Sequence, residues 1–285
     1  MEVFAHGGAG SQPGEPEPRQ SVLETAVARG AGAESPLDAV EIAVKHLESD
    51  PQFNAGRGGA VQSDGVPRTE AGMMTGRGSV GAASSMEGVE HAVSVARVVL
   101  EETPHVLISG EQASELAADF GIETGQDLWT ERSRKRWDAV PEAPEGGPRA
   151  QLEWVKERFE GADTVGAVAT DGATVATATS TGGRWFALAG RVGDVPQIGS
   201  GFYASETAAA SATGAGEDIA KSTLSRIAVK AVEDGASPAV AASDAMAEFE
   251  DLTGSTAGII VIDRDGNRGE AFNSAAMQTA ASGNR

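Results

Sequence analysis

The stretch Gly161–Gly172, GADTVGAVATDG, stands at the junction of two kinds of sequence. Over 122–150 the chain is charged, carries Pro and Gly, and has lost its apolar periodicity, as a flexible linker would. From Thr164 onward the pattern turns strand-like. Thr164–Ala169 and Thr174–Ser180 are short apolar and Thr-rich runs on either side of Asp171-Gly172, a two-residue hairpin signal. Ala257–Asp263 and Arg268–Phe272 repeat the design around Asp265-Gly266.

Helical patterns lie outside these hairpins. Residues 18–29 read as helix, and a clearer one starts at Ser35-Pro36-Leu37-Asp38: an N-cap, a proline at the first helical position and an acid three residues after the cap. Leu37, Val40, Val44 and Leu47 then share one face. A helix is expected to follow Ser85, with Val89, Ala92, Val93, Ala96 and Leu100 on a stripe, and another from a capping box at Ser109-Gly-Glu-Gln112. Further helices are expected over 150–159, 216–234 and 238–251. Val3-Phe4-Ala5 reads as a strand opening into the glycine turn His6–Gly10. Hairpins and helices in partly separate blocks, without strict strand–helix alternation, predict an α+β sandwich of antiparallel sheets covered by helices, as a single domain over 1–285.

Composition narrows the function. The net charge is −20, from 42 acidic and 22 basic residues, and the only lysines are Lys45, Lys135, Lys156, Lys221 and Lys230. Such a surface repels phosphate backbones, so nucleic acid is not an expected partner. In molar salt the Debye length falls to about 3 Å and self-repulsion is screened, so an acidic, lysine-poor surface points to a salty cytoplasm. No secretion signal and no membrane span are expected. With no cysteine there is neither a disulfide framework nor a thiolate nucleophile. His6, His46, His91 and His105 lack metal-ligand spacing and read as structural. There is no Gly-x-Ser-x-Gly elbow, and Ser200 in Gly199-Ser-Gly201 reads as a loop residue. Threonine is the remaining nucleophile. Its hydroxyl is weak without a base, and an N-terminal threonine supplies one in its own α-amine, with a pKa of about 7.7–8.0. Thr164 reaches that state if the bond before it is cut. A threonine opening a strand is by itself ordinary.

The surrounding motifs change that reading. His6-Gly-Gly-Ala-Gly10, Asp50-Pro-Gln-Phe-Asn-Ala-Gly-Arg-Gly58, Thr164-Val-Gly-Ala-Val168, Ser180-Thr-Gly-Gly183, Gly190-Arg-Val-Gly-Asp-Val-Pro196 and Ala212-Thr-Gly-Ala-Gly-Glu217 occur in this order. Together they resemble the plant-type L-asparaginase and isoaspartyl peptidase family of N-terminal nucleophile hydrolases, from His6 to about Met277. The resemblance implies an αββα sandwich and self-cleavage between Asp163 and Thr164 into an α chain, 1–163, and a β chain, 164–285. It implies hydrolysis of L-asparagine and of β-aspartyl dipeptides by Thr164, and an oxyanion steadied by Thr213 and the backbone N–H of Gly214. Thr181 would bond near the nucleophile. Arg191 would hold the substrate carboxylate and Asp194 its ammonium, with Gly214 and Gly216 admitting it closely. Asn54 would brace the site. The backbone carbonyls of Leu47, Glu48, Asp50, Phe53, Ala55 and Arg57 would hold a structural Na⁺, and catalysis itself would need no cofactor. A homodimer of αβ units in the cytoplasm is also implied. Asp rather than Gly before the threonine resembles the related glycosylasparaginases, so a glycosylasparaginase-like amidase is the neighbouring alternative. An uncleaved, inactive scaffold is the third.

Overall fold

The computed structural model describes residues 1–141, 145–158 and 163–283. Along the chain run β1 (Glu2–Gly10), α1 (Pro16–Ala31), α2 (Pro36–Glu48), β2 (Arg68–Thr75), β3 (Val80–Glu87), α3 (Ala92–Glu102), β4 (Leu107–Ser109) and α4 (Glu111–Asp119). Then come α5 (Glu131–Asp138), α6 (Pro148–Arg158), β5 (Val165–Thr170), β6 (Val175–Thr181), β7 (Phe202–Ala204) and β8 (Ala208–Gly214). The chain continues through α7 (Gly216–Ser222), α8 (Leu224–Glu233), α9 (Pro238–Thr253), β9 (Ala257–Asp263), β10 (Arg268–Phe272) and β11 (Ala276–Ala281).

The strands form a seven-stranded sheet, in the order β11-β1-β5-β6-β2-β3-β4, and a four-stranded sheet, β10-β9-β8-β7. The quoted hairpin is central to the first. β5 pairs antiparallel with both β1 and β6, and β6 passes the pairing on to β2. Asp171 closes its turn, Oδ1 accepting from the amides of Ala173 at 2.8 Å and Thr174 at 2.7 Å, while Gly172 takes φ 86°, open to glycine at little cost. Between the named strands of the described residues, every pairing is antiparallel except β3 with β4 at one edge.

Alternation along the strands divides the core into three layers. Val165, Ala167 and Ala169 of β5 face α1, α2 and α3 in a cluster with Leu23, Val40, Val44, Leu47 and Val93. Val168 faces the other way, into the space between the sheets, with Phe4, Phe202, Ile260 and Ile262. On the far side Ile259 and Val261 of β9 pack on Leu224 and Val229 of α8 and on Met246 and Phe249 of α9. The result is helix, sheet, sheet, helix: the expected α+β sandwich. Alanine dominates the sheet faces, so the layers approach closely with few aromatics.

Several local expectations differ. The helix expected after Ser85 begins at Ala92, because residues 80–87 are β3 and Gly88, at φ 67°, breaks the chain between them. Ser109 pairs with Ser84 in β4, Gly110 is the α4 N-cap residue, and no side chain caps that helix. The helix expected over 216–234 is broken at Thr223, which sits at φ 56° between α7 and α8. Residues 142–144 of the 122–150 segment and Gly161–Ala162 of the quoted stretch lie outside the described residues. The rest of 122–150 is not a featureless linker. It holds α5, whose capping box joins Ser133 N to Thr130 Oγ1 at 3.1 Å and Thr130 N to Ser133 Oγ at 2.8 Å. Trp137 anchors α5 to Phe186, with ring centroids 6.0 Å apart, and Trp154 of α6 meets the same ring edge-on at 5.5 Å.

Phe202 is fully buried between the sheets, its ring filling the space that a side chain on Gly72 would take. Phe202→Ala is expected to lower stability by about 3–5 kcal/mol, read from the chemical denaturation midpoint at fixed salt.

Candidate active site

The alternation that builds the core also aims the threonines. On β6, Ala176 and Ala178 face the helices. Thr177 and Thr179 face the second sheet, where Thr177 Oγ1 donates to Ala210 O at 2.9 Å and Thr179 Oγ1 to Gly201 O at 3.1 Å. On β5 the even positions face the same way. A Cβ on Gly166 would lie 2.6 Å from His6 Nε2, so only glycine fits there. Thr164, one step before β5, therefore looks toward β8. It is buried, and its backbone N–H donates to Thr213 Oγ1 at 3.2 Å.

The carbonyl of Asp163 sits between two donors. Asn54 Nδ2 reaches its oxygen at 2.5 Å and Thr181 Oγ1 at 3.3 Å. Asn54 is itself fixed, since its Oδ1 accepts from Ala60 N at 2.7 Å and its Nδ2 also reaches Gly183 O at 2.7 Å. The glycine turn expected at His6–Gly10 is instead the end of β1, with a bulge between His6 and Ala9, and Asp163's side chain rests on it: a Cβ on Gly10 would come 2.7 Å from its Oδ1, and it pairs with Arg19 at 3.1 Å. Arg19 also donates to Gly7 O, tying this end of β1 to α1. The structure thus gathers Asn54, Asp163, Thr164, Thr181 and Thr213 at one point.

Arg191, Asp194 and Gly216 form a second group. A Cβ on Gly216 would sit 2.5 Å from Asp194 Oδ1 and 2.7 Å from Arg191 Nη2, so glycine keeps a gap open between the two charges. Asp194 Oδ2 is buried with no hydrogen-bond partner, and burial first of all pushes that carboxyl up to about 6, Arg191 opposing. Arg191 pairs with Glu217, Nε to Oε1 at 2.9 Å, and Glu217 with Arg184 at 2.8 Å.

Sequence reasoning missed Glu217 and Glu70. Glu70 accepts from the amide of Gly193 at 3.1 Å and lies 3.9 Å from Arg191 Nη1. Only the turn that carries Arg191 back across β2 brings them together, so no spacing signals it. It also missed the partners of Glu48. That side chain is buried in α2, accepts from Ser180 Oγ at 2.6 Å and Val93 N at 3.0 Å, and is held above the usual carboxylate range by burial, with His91 and Ser180 opposing. His6, buried and bonded to Ser211 Oγ at 2.8 Å, is driven down to about 3 by burial, so it is neutral.

In the Leu47–Arg57 loop, the carbonyls of Leu47, Glu48 and Asp50 accept the amides of Asp50, Arg57 and Phe53 at 3.2, 2.9 and 3.2 Å. Glu48 O and Asp50 O each keep a second lone pair, while the Ser49 N–H also approaches Leu47 O. Among the described residues no cluster of His, Asp or Glu side chains suits a metal ion.

Burial raises the Glu70 carboxyl to about 7, with Arg191 opposing and Asp194 adding to the rise. A folded pKa above the unfolded 4.5 means the native state takes up the proton first. Glu70 therefore favours folding increasingly as pH falls from about 7 toward 4.5, and disfavours it above. Glu70→Gln removes this dependence. The stability of the unsubstituted protein relative to the variant is expected to rise by about 2–3 kcal/mol between pH 8 and pH 5, read by denaturant titration at each pH.

Comparison with known proteins gives the family of the chain. A family model described as asparaginase matches residues 2–285. A plant-type L-asparaginase of Pyrococcus abyssi is 40% identical over 293 residues, covering 98% of this chain and 95% of the relative. One from Pyrobaculum calidifontis is 39% identical, covering 96% and 94%. An isoaspartyl peptidase/L-asparaginase of Rattus norvegicus is 38% identical, covering 99% of this chain and 86% of its own. With its helix–sheet–sheet–helix layers and a family match over 2–285, the chain belongs to the asparaginase family of N-terminal nucleophile hydrolases.

Proposed function

We propose that this chain is a self-cleaving threonine amidohydrolase that converts L-asparagine to L-aspartate and ammonia and hydrolyses β-aspartyl dipeptides. Full-length similarity to plant-type L-asparaginases and to an isoaspartyl peptidase/L-asparaginase supports the activity. The observation that carries the mechanism is the carbonyl of Asp163 held by Asn54 and Thr181 directly before Thr164.

In the first step Thr164 Oγ attacks the Asp163 carbonyl carbon. Charge develops on an oxygen that already faces Asn54 Nδ2 and Thr181 Oγ1, so the donors need no rearrangement as it grows. The peptide C–N bond breaks, the acyl group passes from N to O, and water hydrolyses the ester. Thr164 is left with a free α-amine beside Thr213 Oγ1, the partner its amide already has. That amine takes the hydroxyl proton in the second reaction. Thr164 Oγ attacks the substrate β-carbonyl, ammonia or an amino acid leaves with a proton, and water releases aspartate. Thr213 and the Gly214 N–H steady the oxyanion. Arg191 takes the α-carboxylate and Asp194 the α-ammonium. The buried, unpartnered Asp194 Oδ2 and the gap kept open by Gly216 support that assignment.

The same reading includes a structural Na⁺ held by carbonyls of Leu47, Glu48, Asp50, Phe53, Ala55 and Arg57, where it would pin the loop carrying Asn54. The spare carbonyl lone pairs suit a hard cation. It also includes a homodimer of αβ units in a salty cytoplasm. The net charge of −20 supports the salt requirement, and no helix among the described residues is long and apolar enough to cross a membrane.

Intact mass is expected to show two fragments meeting at 163/164, and Thr164→Ala a single inactive chain. A chain that stays whole after long incubation in high salt speaks for the scaffold reading. Asn54→Ala is expected to slow self-cleavage by about 10²-fold, followed by the rate at which the full-length mass disappears. Turnover of N-linked glycosyl-asparagine in preference to asparagine and β-aspartyl-leucine would replace this reading with the glycosylasparaginase-like one suggested by Asp163.

A further inference from the structure

Acidic residues outnumber basic ones 42 to 22 in this chain, yet one cleft reverses the balance. A cavity of about 900 Å³ opens beside Asp163 and is lined by Arg19, Arg132, Arg136 and Arg184, against the carboxylates of Glu15 and Asp163 alone. Arg19 is engaged by Asp163 at 3.1 Å and Arg184 by Glu217 at 2.8 Å. Arg136 lies over the Trp185 ring, 4.5 Å from its centroid. Arg132, on the first turn of α5, reaches the Gln52 carbonyl at 3.4 Å, and no carboxylate of the described residues pairs with it. Partial desolvation, then the like charges of Arg19 and Arg136, lower its pKa, with Asp163 and Asp50 opposing. Guanidinium groups gathered this way repel one another unless an anion joins them.

The position of the cleft says which anion. Asn54, Asp163 and Gly214, which surround Thr164, belong to its wall, whereas Arg191 and Asp194 do not. It adjoins the nucleophile and shares Gly214 with the proposed oxyanion site, but leaves out the pair assigned to the substrate's amino-acid end, as the leaving-group side would. Asparagine releases only ammonia and has no use for 900 Å³ there. A β-aspartyl dipeptide releases an amino acid with a free carboxylate, which the planar fork of an arginine fits.

We propose that this cleft is the leaving-group subsite and that Arg132 binds the free α-carboxylate of the residue released from a β-aspartyl dipeptide. Trp185, under Arg136, forms the apolar part of the wall available to that residue's side chain. The chain is thereby matched to dipeptides with a free C-terminus over longer or capped β-aspartyl peptides. This rests on the reading of the chain as a hydrolase of β-aspartyl dipeptides.

The test compares β-aspartyl-leucine with β-aspartyl-leucinamide on the cleaved protein, at the lowest salt that keeps it folded, with asparagine run alongside. The free acid is expected to have a kcat/KM about 10-fold or more above the amide, mostly through KM. Arg132→Gln is expected to bring that ratio close to 1, and Arg132→Lys to restore part of it. A ratio near 1 in the unsubstituted protein, or one that Arg132→Gln leaves unchanged, overturns the subsite. Failure of the cleaved, unsubstituted protein on both dipeptides and on asparagine instead overturns the hydrolase reading, and the subsite with it.

Discussion

The pairing of β5 between β1 and β6 is the constraint on which the rest of the structure hangs. Pleating sends every second residue of β5 and β6 to the helices and the others to the second sheet. Val165, Ala167 and Ala169 thereby bury against α1–α3, while Thr177 and Thr179 bond across to β7 and β8 territory. A one-residue slip would exchange the two sets and bury hydroxyls among aliphatic side chains. The same register fixes Thr164 opposite Thr213 and brings Thr181 to the Asp163 carbonyl. The geometry proposed for catalysis is here a by-product of core packing rather than a loop arrangement laid over it.

A second constraint is electrostatic. Glu70, Arg191, Asp194 and Glu217 share a small, largely buried volume, and burial lifts Glu70 and Asp194 while Arg191 holds Glu217 down. With Arg184 also on Glu217, three carboxylates meet two guanidinium groups, which still leaves the group short of positive charge. A substrate that brings an ammonium beside Asp194 would correct the deficit, and its carboxylate would meet Arg191 in competition with Glu217. Such a site favours zwitterionic amino acids over simple anions, in keeping with the proposed substrates.

Much of this was legible in the sequence, for identifiable reasons. The β5–β6 hairpin declared itself through Asp171-Gly172, and α2 through Ser35, whose Oγ accepts from Asp38 N at 3.2 Å as the capping pattern predicted. Motif order pointed to Asn54, Thr164, Thr181 and Thr213 as candidates, and the structure brings these four together. β2 and β3 stayed hidden because Ala, Gly, Ser and Met fill them, residues with weak strand preference that are affordable only between close layers. α5 stayed hidden because ERSRKRWD carries a single apolar anchor, Trp137, and caps itself with Thr130 and Ser133 rather than with an acid. Glu70 and the cleft arginines were unreadable because their meaning lies in neighbours far along the chain.

The interleaved order of the larger sheet has one more effect. β1, β2, β3 and β4 precede the Asp163–Thr164 bond, while β5, β6 and β11 follow it, and they alternate across the sheet as β11-β1-β5-β6-β2. Breaking that bond frees neither piece, since each is hydrogen-bonded on the other's edges. It does alter the way back. The intact chain finds its shape as one tethered molecule, whereas two pieces severed at that bond would have to meet in solution, at a rate set by concentration and against aggregation of exposed strands. Under the proposed self-cleavage, the cut form would persist because of a barrier against coming apart, and assembly would have to be finished before that bond is cut.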